Sequence, residues 1–124
     1  MRFLEPGSPE RALMWMTALE QCVGSVRRGA VRRIRWVRVD PADADVSGIL
    51  VSAHEGDLVG DVRMLRRLDV PELDPAVDLP PDFVALDEAE ALLWAERGMG
   101  ARRDRWVNRA VEGWTMLCEL RGHS

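Results

Sequence analysis

The sequence predicts an α+β fold: an N-terminal helix, a three-stranded antiparallel meander, a proline-rich loop and a C-terminal helical hairpin packed on the sheet. Three observations carry this expectation. They are a helix start at Ser8-Pro9-Glu10, a β-branched run from Val31 to Val39, and a capping box at Asp87-Glu88-Ala89-Glu90. A chain of 124 residues falls in the roughly 100–200 residue range of one domain, so residues 1–124 read as a single unit.

The first helix opens where Ser8 can accept from free amides, Pro9 has no amide to waste and Glu10 suits the positive helix end. Ala12, Trp15, Met16, Leu19, Cys22, Val23 and Val26 then recur at steps of three and four. That spacing predicts one apolar stripe, ending at Gly24 or Gly29 with Arg27 and Arg28 at the negative helix end. Val31–Val39 follows as a strand between Gly29 and Pro41, and Val46–Ala53 as a second one after an Asp/Pro turn. Residues 57–70 fit two patterns. Leu58, Gly60, Val62 and Met64 alternate as a strand would, while Leu58, Val62, Leu65 and Leu68 are spaced as in a helix. A lone two-stranded hairpin is marginal in water, which favours a third strand here, with His54-Glu55-Gly56-Asp57 as its turn.

Four prolines and three acids between Pro71 and Pro81 predict a loop without regular structure. The capping box then starts a helix over Asp87–Arg97, with Leu86 placed to staple onto Ala91. Gly98-Met99-Gly100 reads as the link to a second helix beginning near Ala101, whose stripe is Val107, Ala110, Val111, Trp114, Leu117 and Cys118.

Composition excludes several function classes. All 17 basic residues are arginine, so there is no lysine for a Schiff base or a Walker-type phosphate loop. The motifs G-x-S-x-G, H-E-x-x-H and G-x-G-x-x-G are absent. The longest apolar runs are about five residues against the ~20 of a membrane span, and the first residues lack the apolar stretch of a secretory signal. These features point to a cytoplasmic protein without membrane contact. An arginine-only chain rich in Ala, Val and Asp suggests a GC-rich bacterial genome. Cys22 and Cys118 fall on apolar stripes and read as reduced, buried thiols.

Charge is unevenly spread, with a net of +5 over residues 1–39, −11 over 40–90 and +2 over 91–124. Six arginines lie within residues 27–38. Arg32, Arg33, Arg35 and Arg38 could fork onto phosphates while Trp36 stacks a base. The competing expectation is that these arginines pair with the acidic middle segment and Trp36 packs; the net charge of −4 favours it. Strict alternation fails along this run, which predicts a β-bulge or a strand buried at one end only. Residues 43–54 imitate the start of a calcium loop, but the twelfth position is His54 instead of a bidentate Glu, so a turn is expected.

His54, Asp57 and Asp61, with Glu55 nearby, could form an acid–base or metal cluster. His54 is expected in an exposed turn where nothing tunes it, and neither a catalytic residue, a cofactor nor a metal is assigned. The helix 87–97 is apolar on two faces, one of them Ala91, Trp94 and Ala95. Such a helix either fills a core or meets a partner, which nominates Trp94, Ala91, Ala95 and the flanking Trp106 as partner-binding residues.

Interaction with another protein is the leading functional expectation. The chain would act as a small bacterial module, homodimeric and non-enzymatic, in an adaptor, inhibitor, immunity or chaperone role. Binding of nucleic acid or a phosphate ligand through Arg32, Arg33, Arg35, Trp36 and Arg38 ranks second. A small enzyme using His54 and nearby carboxylates ranks third.

Overall fold

The computed structural model of the chain describes residues 3–5, 7–42, 47–109 and 111–122, with Glu112 described by its backbone alone. The α+β class holds. The element order is α1 (Ser8–Met14), β1 (Leu19–Arg28), β2 (Val31–Asp40), β3 (Ile49–Asp57), α2 (Val62–Leu68), β4 (Glu72–Leu73), β5 (Phe83–Ala85), α3 (Glu88–Gly98) and α4 (Glu112–Arg121), with a 3₁₀ turn at Arg103–Arg105 before α4. The strands form one mixed sheet in the order β4-β1-β2-β3-β5.

The expected first helix is only half a helix. It stops after Met14, and residues Leu19–Arg28, expected on its apolar stripe, form β1 instead. The physical reason is burial on both sides. Nearly every residue from Leu19 to Val26 is enclosed, as in a strand sandwiched between two layers, and such a run has no period of its own. Gly29 takes φ +65 in the two-residue turn that joins β1 to β2, which suits glycine at the first turn position. Gly7 stands at the N-cap rather than Ser8, with no side-chain cap.

A meander does form, but from β1, β2 and β3, one strand nearer the N-terminus than expected. β2 matches its expected span. β3 runs on to Asp57, so His54-Glu55-Gly56-Asp57 is strand and not turn, because Trp36, Arg35, Ile34 and Arg33 continue the ladder opposite these residues. The expected bulge exists on the partner strand: Cys22 faces Trp36 and Gly24 faces Arg35, leaving Val23 as the extra residue. A Cβ on Gly24 would lie 2.5 Å from Leu73 and 2.9 Å from the Pro71 carbonyl, so only glycine lets β4 approach β1 there.

Residues 62–68 resolve to helix, against the favoured strand. Asp61 caps α2, its carboxylate accepting from the Arg63 amide at 2.9 Å, and Leu65 and Leu68 turn to the core. The proline-rich segment is not wholly irregular either; Glu72–Leu73 pairs parallel to β1. Phe83–Ala85 then closes the far sheet edge against β3.

α3 begins as expected, with the Asp87 carboxylate accepting from the Glu90 amide at 2.8 Å. The expected staple does not form: Leu86 is 87% exposed, whereas Ala91 is enclosed. The C-terminal hairpin is also corrected. After Ala101 the chain makes only the 3₁₀ turn at Arg103–Arg105, Val107 bridges to Glu20 at the start of β1, and α4 begins only at Glu112. α3 and α4 therefore lie on opposite faces of the sheet. The first face packs Val37, Val39, Ile49 and Val51 against α1 and α3. The second packs Cys22 and Ile34 against α2 and α4 through Leu65, Leu68, Leu117 and Leu120. Among the described residues no helix is long and apolar enough to cross a membrane.

Candidate functional site

Alternation along β2 sends its arginines to opposite faces. Arg33 and Arg35 share the first face with Val37 and Val39, and there they meet Glu55 of β3. Arg28 from β1 joins them. Its guanidinium donates to both Glu55 oxygens at 2.8 and 3.1 Å, Arg35 Nε donates at 2.9 Å, and Arg33 Nε stands at 3.3 Å. The Arg28 hydrogen bond is the largest cause that lowers the Glu55 carboxyl to about 2 from its ordinary 4.5, with Arg35 reinforcing it. The same arginines hold the proline-rich segment. Arg28 Nη1 donates to the Pro75 carbonyl at 3.1 Å, and Arg35 Nη2 donates to that of Val77. These arginines clamp a loop onto the sheet through one shared carboxylate.

The second face carries Trp36 and Arg38. Glu20 of β1, almost wholly enclosed, accepts Arg38 Nη1 at 2.8 Å and pairs with Arg121 Nη1 of α4 at 2.7 Å. Arg38 Nε also donates to Asp40 at 2.7 Å. The Arg121 guanidinium sits 5.2 Å from the Trp36 ring centre and 5.8 Å from that of Trp114, a cation between two aromatic faces. His54 stacks on Trp36, their ring centres 5.5 Å apart. Nearby, burial pushes the Cys22 thiol up to about 11, which keeps it protonated and unreactive.

His54 is therefore half-buried within β3 and not in an exposed turn. Its Nε2 and the Ser52 hydroxyl are 2.8 Å apart, a nucleophile–base distance. Ser52 is enclosed, however, and neither side chain lines the four cavities described for this fold. The other members of the expected cluster point elsewhere. Asp57 faces Arg33 on the opposite side of the sheet, and Asp61 caps α2. Residues 43–46 of the calcium-loop resemblance lie outside the described residues.

Of the four nominated partner-binding residues, Ala91, Ala95 and Trp106 are consumed by the chain's own first core. Trp94 is 40% exposed and stacks on Phe83 at 4.1 Å. Of the five polyanion candidates, Arg33, Arg35 and Arg38 are held by carboxylates and Trp36 by Arg121 and His54. Arg32 alone has no ion pair among the described residues.

The most exposed apolar side chains of α1 escaped the sequence reading. Met14, Trp15 and Met16 are 67%, 81% and 56% exposed; these three consecutive apolar side chains, the ridge, stand at the end of α1. The backbone there forms a Schellman stop: Thr17 donates to the Ala12 carbonyl at 2.9 Å and Met16 to that of Leu13 at 3.1 Å. Met16 holds the left-handed position, φ +62, that glycine normally fills, so a bulky side chain is kept where its backbone is strained. Beside the ridge lies an open groove of about 680 Å³, lined by Met16, Thr17, Arg38, Asp40 and Arg109 among others. Exposed Arg11 of α1 has no ion pair among the described residues. Comparison with protein-family models, curated proteins and solved structures finds no match to this chain.

Proposed function

We propose that this chain is a small non-enzymatic interaction module that associates with a second copy of itself through the Met14–Trp15–Met16 ridge. The observation that carries the reading is the exposure of those three consecutive side chains, the last of them, Met16, on a strained backbone. An apolar cluster of this kind in water is unfavourable unless a partner covers it.

Charge complementarity favours a second copy as the occupant. The ridge side offers Arg11, with Arg109 in the adjoining groove. The segment from Val77 to Trp94 offers exposed Val77, Val84, Leu86, Leu93 and Trp94, interleaved with Asp78, Asp82, Glu88 and Glu90, which make no ion pair among the described residues. In a two-fold dimer each ridge meets that segment of the other copy, and both contacts form together. Three such side chains from each copy, at roughly 2 kcal/mol each, contribute about 12 kcal/mol, and an association cost of about 4 kcal/mol leaves modest, about micromolar, self-association. Adaptor, inhibitor, immunity and chaperone roles all use such a surface.

Sedimentation equilibrium tests this reading. The wild type should give twice the 14.0 kDa chain mass at micromolar concentration. Trp15→Ser, at a side chain that packs on almost nothing within the chain, should weaken the dimer at least about tenfold without lowering the melting temperature. Met16→Gly should weaken the dimer while raising monomer stability by about 1 kcal/mol, since glycine adopts this backbone freely. A wild type that stays monomeric up to millimolar concentration contradicts the proposal.

A further inference from the structure

A second groove lies toward the opposite end of β2, between the β1 and β2 strand ends and helix α2. Its volume is about 430 Å³, within the usual range for small-ligand sites. Ser25, Arg32, Val62, Leu65, Arg66 and Val70 line it. Arg32 and Arg66 have no ion pair among the described residues, and the Ser25 hydroxyl has no hydrogen-bond partner among them. Arg32 also stands directly opposite Arg27 across the ladder, and like charges so placed destabilise a strand pair. Every other arginine of β2 is neutralised by a carboxylate.

We infer that this groove binds a small phosphate monoester. Two unpaired guanidiniums and a hydroxyl offer the planar, forked donors that a phosphoryl group accepts, and an anion there relieves the repulsion between Arg27 and Arg32. Val62, Leu65 and Val70 give the organic body of the ligand an apolar wall. Asp69 and Glu72 line the same groove, and Asp69 leans to Arg105 at 3.8 Å. Those two carboxylates repel a chain of phosphates passing through, which selects a ligand with one anionic group over a nucleic-acid backbone.

The probes are phenyl phosphate, inorganic phosphate and a short single-stranded RNA, titrated into the full chain by NMR or calorimetry. Phenyl phosphate should saturate and bind more tightly than inorganic phosphate. Arg32→Gln and Arg66→Gln should each weaken it at least about tenfold, as expected for a charge-assisted fork. Neither variant should lower the melting temperature, because neither side chain is spent on the fold. No saturation by phenyl phosphate up to about 10 mM, or saturation unchanged in Arg32→Gln, overturns the inference. So does RNA binding more tightly than phenyl phosphate with a steep salt dependence. Self-association is read separately by sedimentation, so failure of this site leaves the ridge proposal intact, and the converse holds.

Discussion

Glu20→Ala is expected to cost about 4 kcal/mol of folding stability, the largest effect of any single substitution considered. Glu20 sits at 1% exposure between two guanidiniums, Arg38 at 2.8 Å and Arg121 at 2.7 Å. Arg38 retains Asp40 and some contact with water when the carboxylate goes. Arg121 does not: it is enclosed between Trp36 and Trp114, and Glu20 is its only carboxylate partner among the described residues. Alanine thus strands a buried cation at the junction of α4 with the sheet and leaves a void beside it. The double variant Glu20→Leu with Arg121→Leu should recover most of the loss, since replacing both charges by apolar groups removes the desolvation cost. Urea denaturation measures both. A loss below about 1 kcal/mol for Glu20→Ala would show that water reaches Arg121.

Glu55→Gln is expected to cost about 2–3 kcal/mol. The amide keeps the shape but cannot balance Arg28, Arg33 and Arg35, and Arg35 is buried. The pH dependence separates charge from shape. The Glu55 carboxyl titrates at about 2 in the fold against an ordinary 4.5, so it favours the folded state fully above about pH 4.5. That contribution is lost progressively as pH falls from 4.5 toward 2, where the carboxylate takes up its proton and releases the arginines. Wild-type stability should fall across that window more steeply than that of Glu55→Gln. Parallel profiles would mean that the clamp is held by backbone carbonyls alone.

Much of the fold was legible where one physical signal acted alone. The β-branched run Val31–Val39 and the capping box at Asp87 needed only local chemistry, and both elements formed as expected. The misreadings share one cause. β1 is enclosed by layers on both sides, so its apolar residues follow neither period two nor period three, and Trp15 to Val26 imitated a helix stripe by coincidence of spacing. A helix over that stretch leaves the meander one strand short, and this shortage is what favours a strand over residues 57–70. Asp61, a capping residue before Val62, was the local signal that argued for helix there.

The arginine clamp was partly legible. Excess acid after residue 40 and excess arginine before it implied pairing, but only the fold shows that Glu55 gathers three guanidiniums. The ridge was not legible, because Trp15 and Met16 fitted the apparent stripe as core residues. Nothing in composition distinguishes an enclosed tryptophan such as Trp106 from an exposed one such as Trp15; that difference is set by where the chain leaves α1.

An NMR dilution series tests the central claim most directly, because it reads every surface at once. Raising the concentration from about 10 μM to about 1 mM should shift the Trp15 indole signal and the amides of Met14 to Met16, together with those of Leu86 to Trp94. The amides of Arg32 to Arg38 should stay in place over the same range, since their side chains are committed within the fold apart from Arg32. Concentration-dependent shifts confined to the arginine strand, or none anywhere up to millimolar concentration, would contradict an interaction module built on the Met14–Trp15–Met16 ridge.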